Sequence, residues 1–315
     1  MKKYHVLDYG GSAVKLALMD KEADVLASAE YPAPTASLES LLETARSIAE
    51  EYRGEYSGVA VSLPGVIDTR RGIAHTTSPY HCPADTPLAA LYSEIYGVPV
   101  TIANDGKCAV NAELHKGALK GIQSGAVLAL GTGIAGGIVI DGRVWAGTRG
   151  AAGELSFFLR SHELLLEAAA TASAQKREDT FYEASWEYRA STTGLLRRYR
   201  SLKGLSADAV LTGRSFFEAY DAADPCAAEA LDAFAADVAV GIFSLQFALD
   251  AQRYAIGGGI SSRAEVTEKI RLAYEHIHNA LGGFTLPEIV PCRYRNGANQ
   301  IGALMFHLEK EKCNG

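Results

Sequence analysis

A strand–glycine turn–strand pattern occurs twice in this chain and constrains its fold more than any other feature. Residues 7–18, LDYGGSAVKLAL, and residues 128–140, LALGTGIAGGIVI, each carry an apolar run turned by glycines at the same relative place. Two halves built on one hairpin predict two glycine loops facing one another across a cleft, a geometry suited to clamping a nucleotide. With 315 residues the chain exceeds what one ordinary core supports, so two domains are the expectation.

Strand patterns alternate with helical ones along the chain, which predicts α/β layering. HVLD (5–8) and VKLALMD (14–20) read as paired strands, with ADVLASAEY (23–31) adding a third. Leu38, Leu41, Leu42, Ala45, Ile48, Ala49 and Tyr52 fall on one helical stripe, with Ser37 as its N-cap. A strand at 58–63, a helix from about 87 to 97, a strand at 98–103 and a helix over 107–119 follow. Residues 225–249 are apolar almost all round, and Asp224-Pro225 supplies a cap and a first-turn proline, so a buried helix is expected there. Residues 252–262 read as a strand running into glycines and then a helix, and residues 298–312 as an amphipathic C-terminal helix with a basic end.

Composition excludes several classes. The chain is 48% hydrophobic and 21% charged, the balance of a soluble globular protein. A net charge of −7, from 37 acidic and 30 basic residues, gives no electrostatic basis for a nucleic-acid partner. Glycines break every long apolar run, so no membrane span is expected. MKKYHVLDYGG enters a strand directly with no signal region, and a cytoplasmic location is the expectation. Five scattered cysteines form no Cys-x-x-Cys pair, which supports neither a disulfide framework nor a zinc site.

Three glycine clusters lie at strand ends. In Asp8-Tyr9-Gly10-Gly11-Ser12, with Lys15 beyond, glycine lets backbone N–H groups approach a phosphate, and Asp8 can hold Mg²⁺ or its water. In Gly131-Thr132-Gly133 the threonine hydroxyl adds a donor. Gly257-Gly258-Gly259 follows a strand and opens a helix, where dipole and free N–H groups favour an anion or allow close approach of a nucleotide. None has the P-loop or dinucleotide spacing, so ATP on a different fold is favoured over NAD. Asn104 and Asp105 follow a strand at its carboxyl end. They read either as an Asx cap on the next helix or as a catalytic base with a substrate-orienting amide. Glu154 and Glu187 read either as solvated surface acids or as ligands of sugar hydroxyls.

With these residues laid out, the chain resembles the ROK family of sugar kinases and regulators over nearly its whole length. DYGGSAVK is similar to the family's first phosphate motif, with Ser12 for the usual threonine; Pro64-Gly65-Val66-Ile67-Asp68 resembles its Pro-Gly-x-x-Asp segment. ANDGKCAVNAE resembles its catalytic Asn-Asp motif, LGTGIAGGI its second phosphate motif, and AIGGGIS its nucleotide-side glycines. The resemblance implies the actin-like ATPase fold: two RNase-H-like domains with mixed sheets flanked by helices around a central cleft. The expected division is 1–103 plus 298–315 for the smaller domain and 104–297 for the larger.

The resemblance also implies roles. Asp105 is the base; Gly65, Asn104, Glu154 and Glu187 contact the sugar. Asp8, Gly10, Gly11, Ser12, Lys15, Gly131, Thr132, Gly133, Gly258 and Gly259 serve ATP, with Asp8 toward Mg²⁺. A homodimer is implied as well.

Two departures stand out. The family's histidine, which binds sugar and zinc, is replaced in Gly153-Glu154-Leu155-Ser156-Phe157 by Phe157. The cysteine knuckle is absent, with Ser185 where its last cysteine would stand, before Trp186-Glu187-Tyr188-Arg189-Ala190-Ser191. This pattern resembles the zinc-free branch of β-glucoside kinases, and the implied reaction is transfer of the ATP γ-phosphate to the 6-OH of glucose or a β-glucoside. N-acetylmannosamine or another hexose or amino sugar is the alternative acceptor. A non-catalytic regulator of the family would carry a helix-turn-helix before the first phosphate loop, whereas seven residues precede Asp8.

Overall fold

The computed structural model describes residues 2–77, 79–282, 285–294 and 297–314. The chain divides into two compact units, one of Met1–Gly121, Arg143–Gly153 and Asn296–Gly315, the other of Ile122–Gly142 and Glu154–Arg295.

The first sheet is built from β1 (Lys3–Tyr9), β2 (Ala13–Asp20), β3 (Val25–Pro32), β4 (Gly58–Leu63) and, after the short β5 (Ile67–Asp68) and β6 (Ile73–Ala74) hairpin, β7 (Val100–Asn104). Its order is β3-β2-β1-β4-β7, with β1, β4 and β7 parallel and β2 and β3 antiparallel. Period-two alternation sorts side chains to its two faces. Leu7 and Tyr9 of β1 join Val59 and Val61 of β4 in one cluster, with Leu41, Ala45 and Ile48 of α1 (Leu38–Glu51) and Leu88 and Tyr92 of α2 (Leu88–Tyr96). Tyr4 and Val6 point the other way, into a cluster with Ala60, Ala103, Cys108 of α3 (Asp105–Lys116) and Ala303 and Leu304 of α11 (Ala298–Asn314). A sheet covered on both faces needs a central strand apolar throughout, and GVAVSL in β4 is buried along its whole length. Ser37 caps α1 as expected, in a capping box with Ser40.

Helix α3, grouped by the sequence reading with residues 104–297, packs against α11 and the first sheet. The two helices cross closely because Gly302 leaves room for the Cys108 backbone, and Asn111 Nδ2 donates to the Gly302 carbonyl at 3.2 Å.

The second sheet repeats the first. Its strands are β8 (Gly125–Leu130), β9 (Ile134–Ile140), β10 (Arg143–Trp145), β11 (Arg253–Gly257) and β12 (Glu288–Pro291), in the order β10-β9-β8-β11-β12. Again an antiparallel hairpin leads into parallel strands. Between β10 and β11 come a 3-10 turn (Leu155–Phe157), α4 (His162–Ala170), α5 (Ala174–Ala184), α6 (Glu187–Ala190), α7 (Thr192–Lys203), α8 (Gly213–Asp221) and α9 (Pro225–Leu249). α9 has the bounds expected from its sequence: the Asp224 carboxylate accepts from Cys226 N, and Pro225 opens the first turn. Phe234, Val238, Ile242 and Leu245 of α9 pack with Leu128 and Leu130 of β8 and with Ile270 and Tyr274 of α10 (Ala264–Leu281) in a third cluster. The glycine cluster after β11 does not open α10 directly, because a 3-10 turn (Gly259–Ser262) intervenes. The shared sheet order makes both units RNase-H-like, and the architecture is the actin-like ATPase fold. No described helix is long and apolar enough to cross a membrane.

Candidate active site

In the first unit the parallel strands end together, and their carboxyl ends carry the polar groups. The ladder pairs Asp8 with Ser62 and Leu63 with Asn104. Asp8 Oδ1 accepts from Ser62 Oγ at 2.9 Å and from Asn299 Nδ2, at the start of α11, at 3.1 Å. Lys15 stands opposite Asp8 in the β1–β2 ladder and is exposed. The intervening loop closes through Gly10 N donating to Ala13 O at 2.9 Å, while the Tyr80 hydroxyl donates to Gly10 O. Burial, and then the Asp8 carboxylate, push the Tyr80 phenol up to about 12, so it keeps the proton it donates.

Asn104 caps α3, which therefore begins at Asp105 rather than near 107. Asn104 Oδ1 accepts from Lys107 N at 3.0 Å. The same side chain does a second job: Nδ2 donates to Gly65 O at 2.9 Å and to Asp105 Oδ1 at 3.0 Å. Gly106 N adds a donor to Asp105 Oδ1 at 2.8 Å. One oxygen of Asp105 is thus held by an amide and by the first-turn backbone, which fixes the rotamer of a half-buried carboxylate at a helix N-terminus. Gly65 has φ +116°, and a Cβ there would strike the Thr76 carbonyl, so the loop that meets Asn104 requires glycine. Burial, then the Asp105 and Asp8 carboxylates, raise the Cys108 thiol well above its usual range and keep it neutral.

The second unit has its own constellation. Gly131 N donates to Gly133 O at 3.0 Å, and Gly131 O accepts from Thr192 N, at the start of α7, at 2.8 Å. A Cβ on Gly133 would collide with the Glu187 carboxylate. That carboxylate accepts from Ser156 Oγ at 2.6 Å, and Ser156 Oγ accepts from Ile134 N at 2.9 Å. Ser156 therefore ties the hairpin loop, the 3-10 turn and Glu187 into one unit. Trp186 fixes Glu187 from behind: its ring lies over Gly241 of α9 and its Nε1 donates to Asp237 O at 2.9 Å. Glu154 sits half-buried at the start of the 3-10 turn, where its carbonyl accepts from Phe157 N at 3.3 Å. Gly258, at φ +88°, packs on the Leu130 backbone, so the third glycine cluster underlies the second hairpin.

Beside these loops the second unit has a cleft of about 710 Å³, lined by Gly131, Thr132 and Gly259 together with Thr192, Thr193, Gly213, Arg214, Phe217 and Arg263. First-turn residues of α7 and α8 line it, and backbone N–H groups at helix N-termini favour an anion there. Arg263 donates to Asp221 Oδ2 at 2.9 Å from Nη1 and to Oδ1 at 2.5 Å from Nη2, and its guanidinium lies 4.9 Å from the Phe217 ring centre. Thr192, Arg214, Phe217 and Arg263 escaped the sequence reading. The run Ser191-Thr192-Thr193, with its surplus of capping side chains ahead of a helix, was the available signal.

The residues named from sequence thus form two groups: Asp8, Gly10, Gly11, Ser12, Lys15, Gly65, Asn104 and Asp105 in the first unit, and Gly131, Thr132, Gly133, Glu154, Glu187, Gly258 and Gly259 in the second.

Comparison with known proteins follows the same line. The ROK family model matches residues 4–310. A β-glucoside kinase from Listeria innocua is 28% identical over 313 residues, covering 98% of each chain. An N-acetyl-D-glucosamine kinase from Vibrio atlanticus is 26% identical over 333 residues, covering 97% of this chain and 100% of its own. The crystal structure of a ROK family protein from Streptococcus pneumoniae in complex with sucrose is similar with a TM-score of 0.81 at 25% identity, over 99% of both chains.

Proposed function

The chain belongs to the ROK family, and we propose that it is an ATP-dependent sugar kinase acting on the 6-OH of glucose or of a β-glucoside. The observation that carries this reading is the Gly65–Asn104–Asp105 network. A helix cap needs only the bond from Asn104 Oδ1 to Lys107 N, yet Asn104 also orients the Asp105 carboxylate against the Gly65 turn. Asp105 accepts the proton of the sugar hydroxyl as that oxygen attacks the γ-phosphorus of ATP, and ADP leaves. Asn104, Gly65, Glu154 and Glu187 hold the sugar hydroxyls.

Gly10, Gly11 and Ser12, and in the second unit Gly131, Thr132 and Gly133, donate to phosphate. Gly11, Gly131 and Gly259 have open space where a side chain would stand, as close approach of a ligand requires. The cleft beside Thr132, with Gly259 in its wall, takes the rest of the nucleotide, and Gly258 supports it from the Leu130 backbone. Lys15, exposed opposite Asp8, faces phosphate charge.

Mg²⁺ suits this donor set. Such an ion would be held by a carboxylate together with the substrate phosphates, and Asp8 would supply that carboxylate beside the loop. When bound, the metal neutralises charge on the transferring phosphoryl group.

The test is ATP consumption across glucose, cellobiose, N-acetylglucosamine and N-acetylmannosamine. Turnover is expected with glucose or cellobiose. Phosphorylation of the amino sugars alone would favour the second reading, which the Vibrio relative supports. Sugar binding by calorimetry with no ATP consumed on any sugar would sink the kinase reading in favour of a sugar-binding regulator.

A further inference from the structure

We propose that Phe157 and Phe181 form a stacking platform for the ring that a β-glucoside or disaccharide carries beyond its phosphorylated glucose. The proposal deepens the reading above and rests on Glu154 and Glu187 as the sugar's ligands. Phe157 is 56% exposed, yet it is not loose: it lies nearly parallel to Phe181, with centroids 6.1 Å apart and planes inclined by 21°.

The surrounding backbone holds this pair in place. Phe157 N closes the 3-10 turn onto Glu154 O at 3.3 Å, so the turn ties the two residues together. Ser156, between them, donates to Glu187 at 2.6 Å. On the far side, Arg160 N donates to Ala184 O at 2.8 Å and Trp186 N donates to Phe158 O at 2.5 Å. That pairing locks the segment after the turn to the end of α5, and Phe181 is one helical turn back along α5. An aromatic surface is therefore held next to the two acids.

A pyranose has a flat face of C–H groups that packs on the negative face of an aromatic ring, whereas its hydroxyls point outward to acids and amides. The acids suit the hydroxyls of one sugar unit, and the platform suits the face of the next ring or of an aryl aglycone. Free glucose, ending at its anomeric hydroxyl, supplies no second ring.

The readout is the ratio of kcat/KM for cellobiose to that for glucose, repeated with phenyl β-glucoside. Phe157→Ala and Phe181→Ala should each lower the ratio about 3- to 10-fold, the scale of one aromatic contact. Phe157→Trp should restore it. An unchanged ratio, or equal losses on both sugars, would overturn the proposal. Calorimetric titration of cellobiose into wild type and Phe157→Ala separates this from failure of the kinase reading. With no turnover on any sugar, weaker cellobiose binding by the variant still supports the platform, and equal affinity rejects it.

Discussion

The two hairpin loops share a topology and differ in the side chains set around them. Both follow the first parallel strand of a five-stranded sheet, and both sheets run in the same order. Aligned on their glycines, Gly10 corresponds to Gly131, Asp8 to Ala129 and His5 to Ala126. The ladder partner of Asp8 is Ser62, which donates to it; the partner of Ala129 is Gly257, which has no side chain to donate. The first unit therefore buries polar groups around a carboxylate, while the second presents a threonine hydroxyl, backbone N–H groups and an open cleft. A repeated fold supplies two loops, and in the proposed account side-chain substitution within like frames gives one the reacting charge and the other the nucleotide.

That contrast can be broken in order of expected effect. Asp8→Asn keeps the shape but removes the charge, and kcat at saturating ATP and sugar should fall about 100- to 1000-fold, the scale of losing one electrostatic contact to the reacting group. Steady-state kinetics with a loss under about 3-fold would erase the distinction between the loops. Gly258→Ala should cost about 3 kcal/mol in denaturant unfolding, because it combines a positive φ with a clash on Leu130. Gly11→Ala, with nothing within 4 Å of its Cβ, should stay within about 0.5 kcal/mol.

Acid should act on the first unit through His5. Its ring is fully buried between Tyr52 and Tyr56, neither nitrogen has a partner, and burial lowers it to about 4. The unfolded chain then binds the proton more readily than the folded one. Stability is complete above about pH 6.5 and falls between there and pH 4, by about 2 kcal/mol at pH 5. His307, also lowered by burial, acts in the same direction. Unfolding curves of wild type and His5→Ala between pH 7.5 and 5 should converge as pH falls, and parallel curves would contradict the assignment. Thr132→Val should raise KM for ATP about 10-fold through one lost bond to a charged phosphate and leave kcat nearly intact.

Local signals carried much of this to the surface of the sequence. The doubled hairpin forecast two like sheets, and Asp224-Pro225 marked α9 to the residue. What stayed hidden depends on contacts between distant segments. The need for glycine at 133 comes from Glu187, and at 241 from Trp186, neither visible in a local window. Thr192, Arg214, Phe217 and Arg263 meet at one cleft only once three helix starts have packed together. Asn104 shows a different limit: cap and substrate-orienting amide were posed as alternatives, yet its oxygen caps the helix while its nitrogen reaches Gly65 and Asp105. The two amide atoms let one residue cap the helix and orient the Asp105 carboxylate at once, a pairing that no local window shows.

The most direct test of the base assignment is Asp105→Asn, assayed for kcat with ATP and the preferred sugar alongside calorimetric sugar binding. The amide keeps an acceptor for Asn104 Nδ2 and Gly106 N but cannot take a proton. The account predicts retained sugar binding with kcat at least ~100-fold lower. Near wild-type turnover would contradict it.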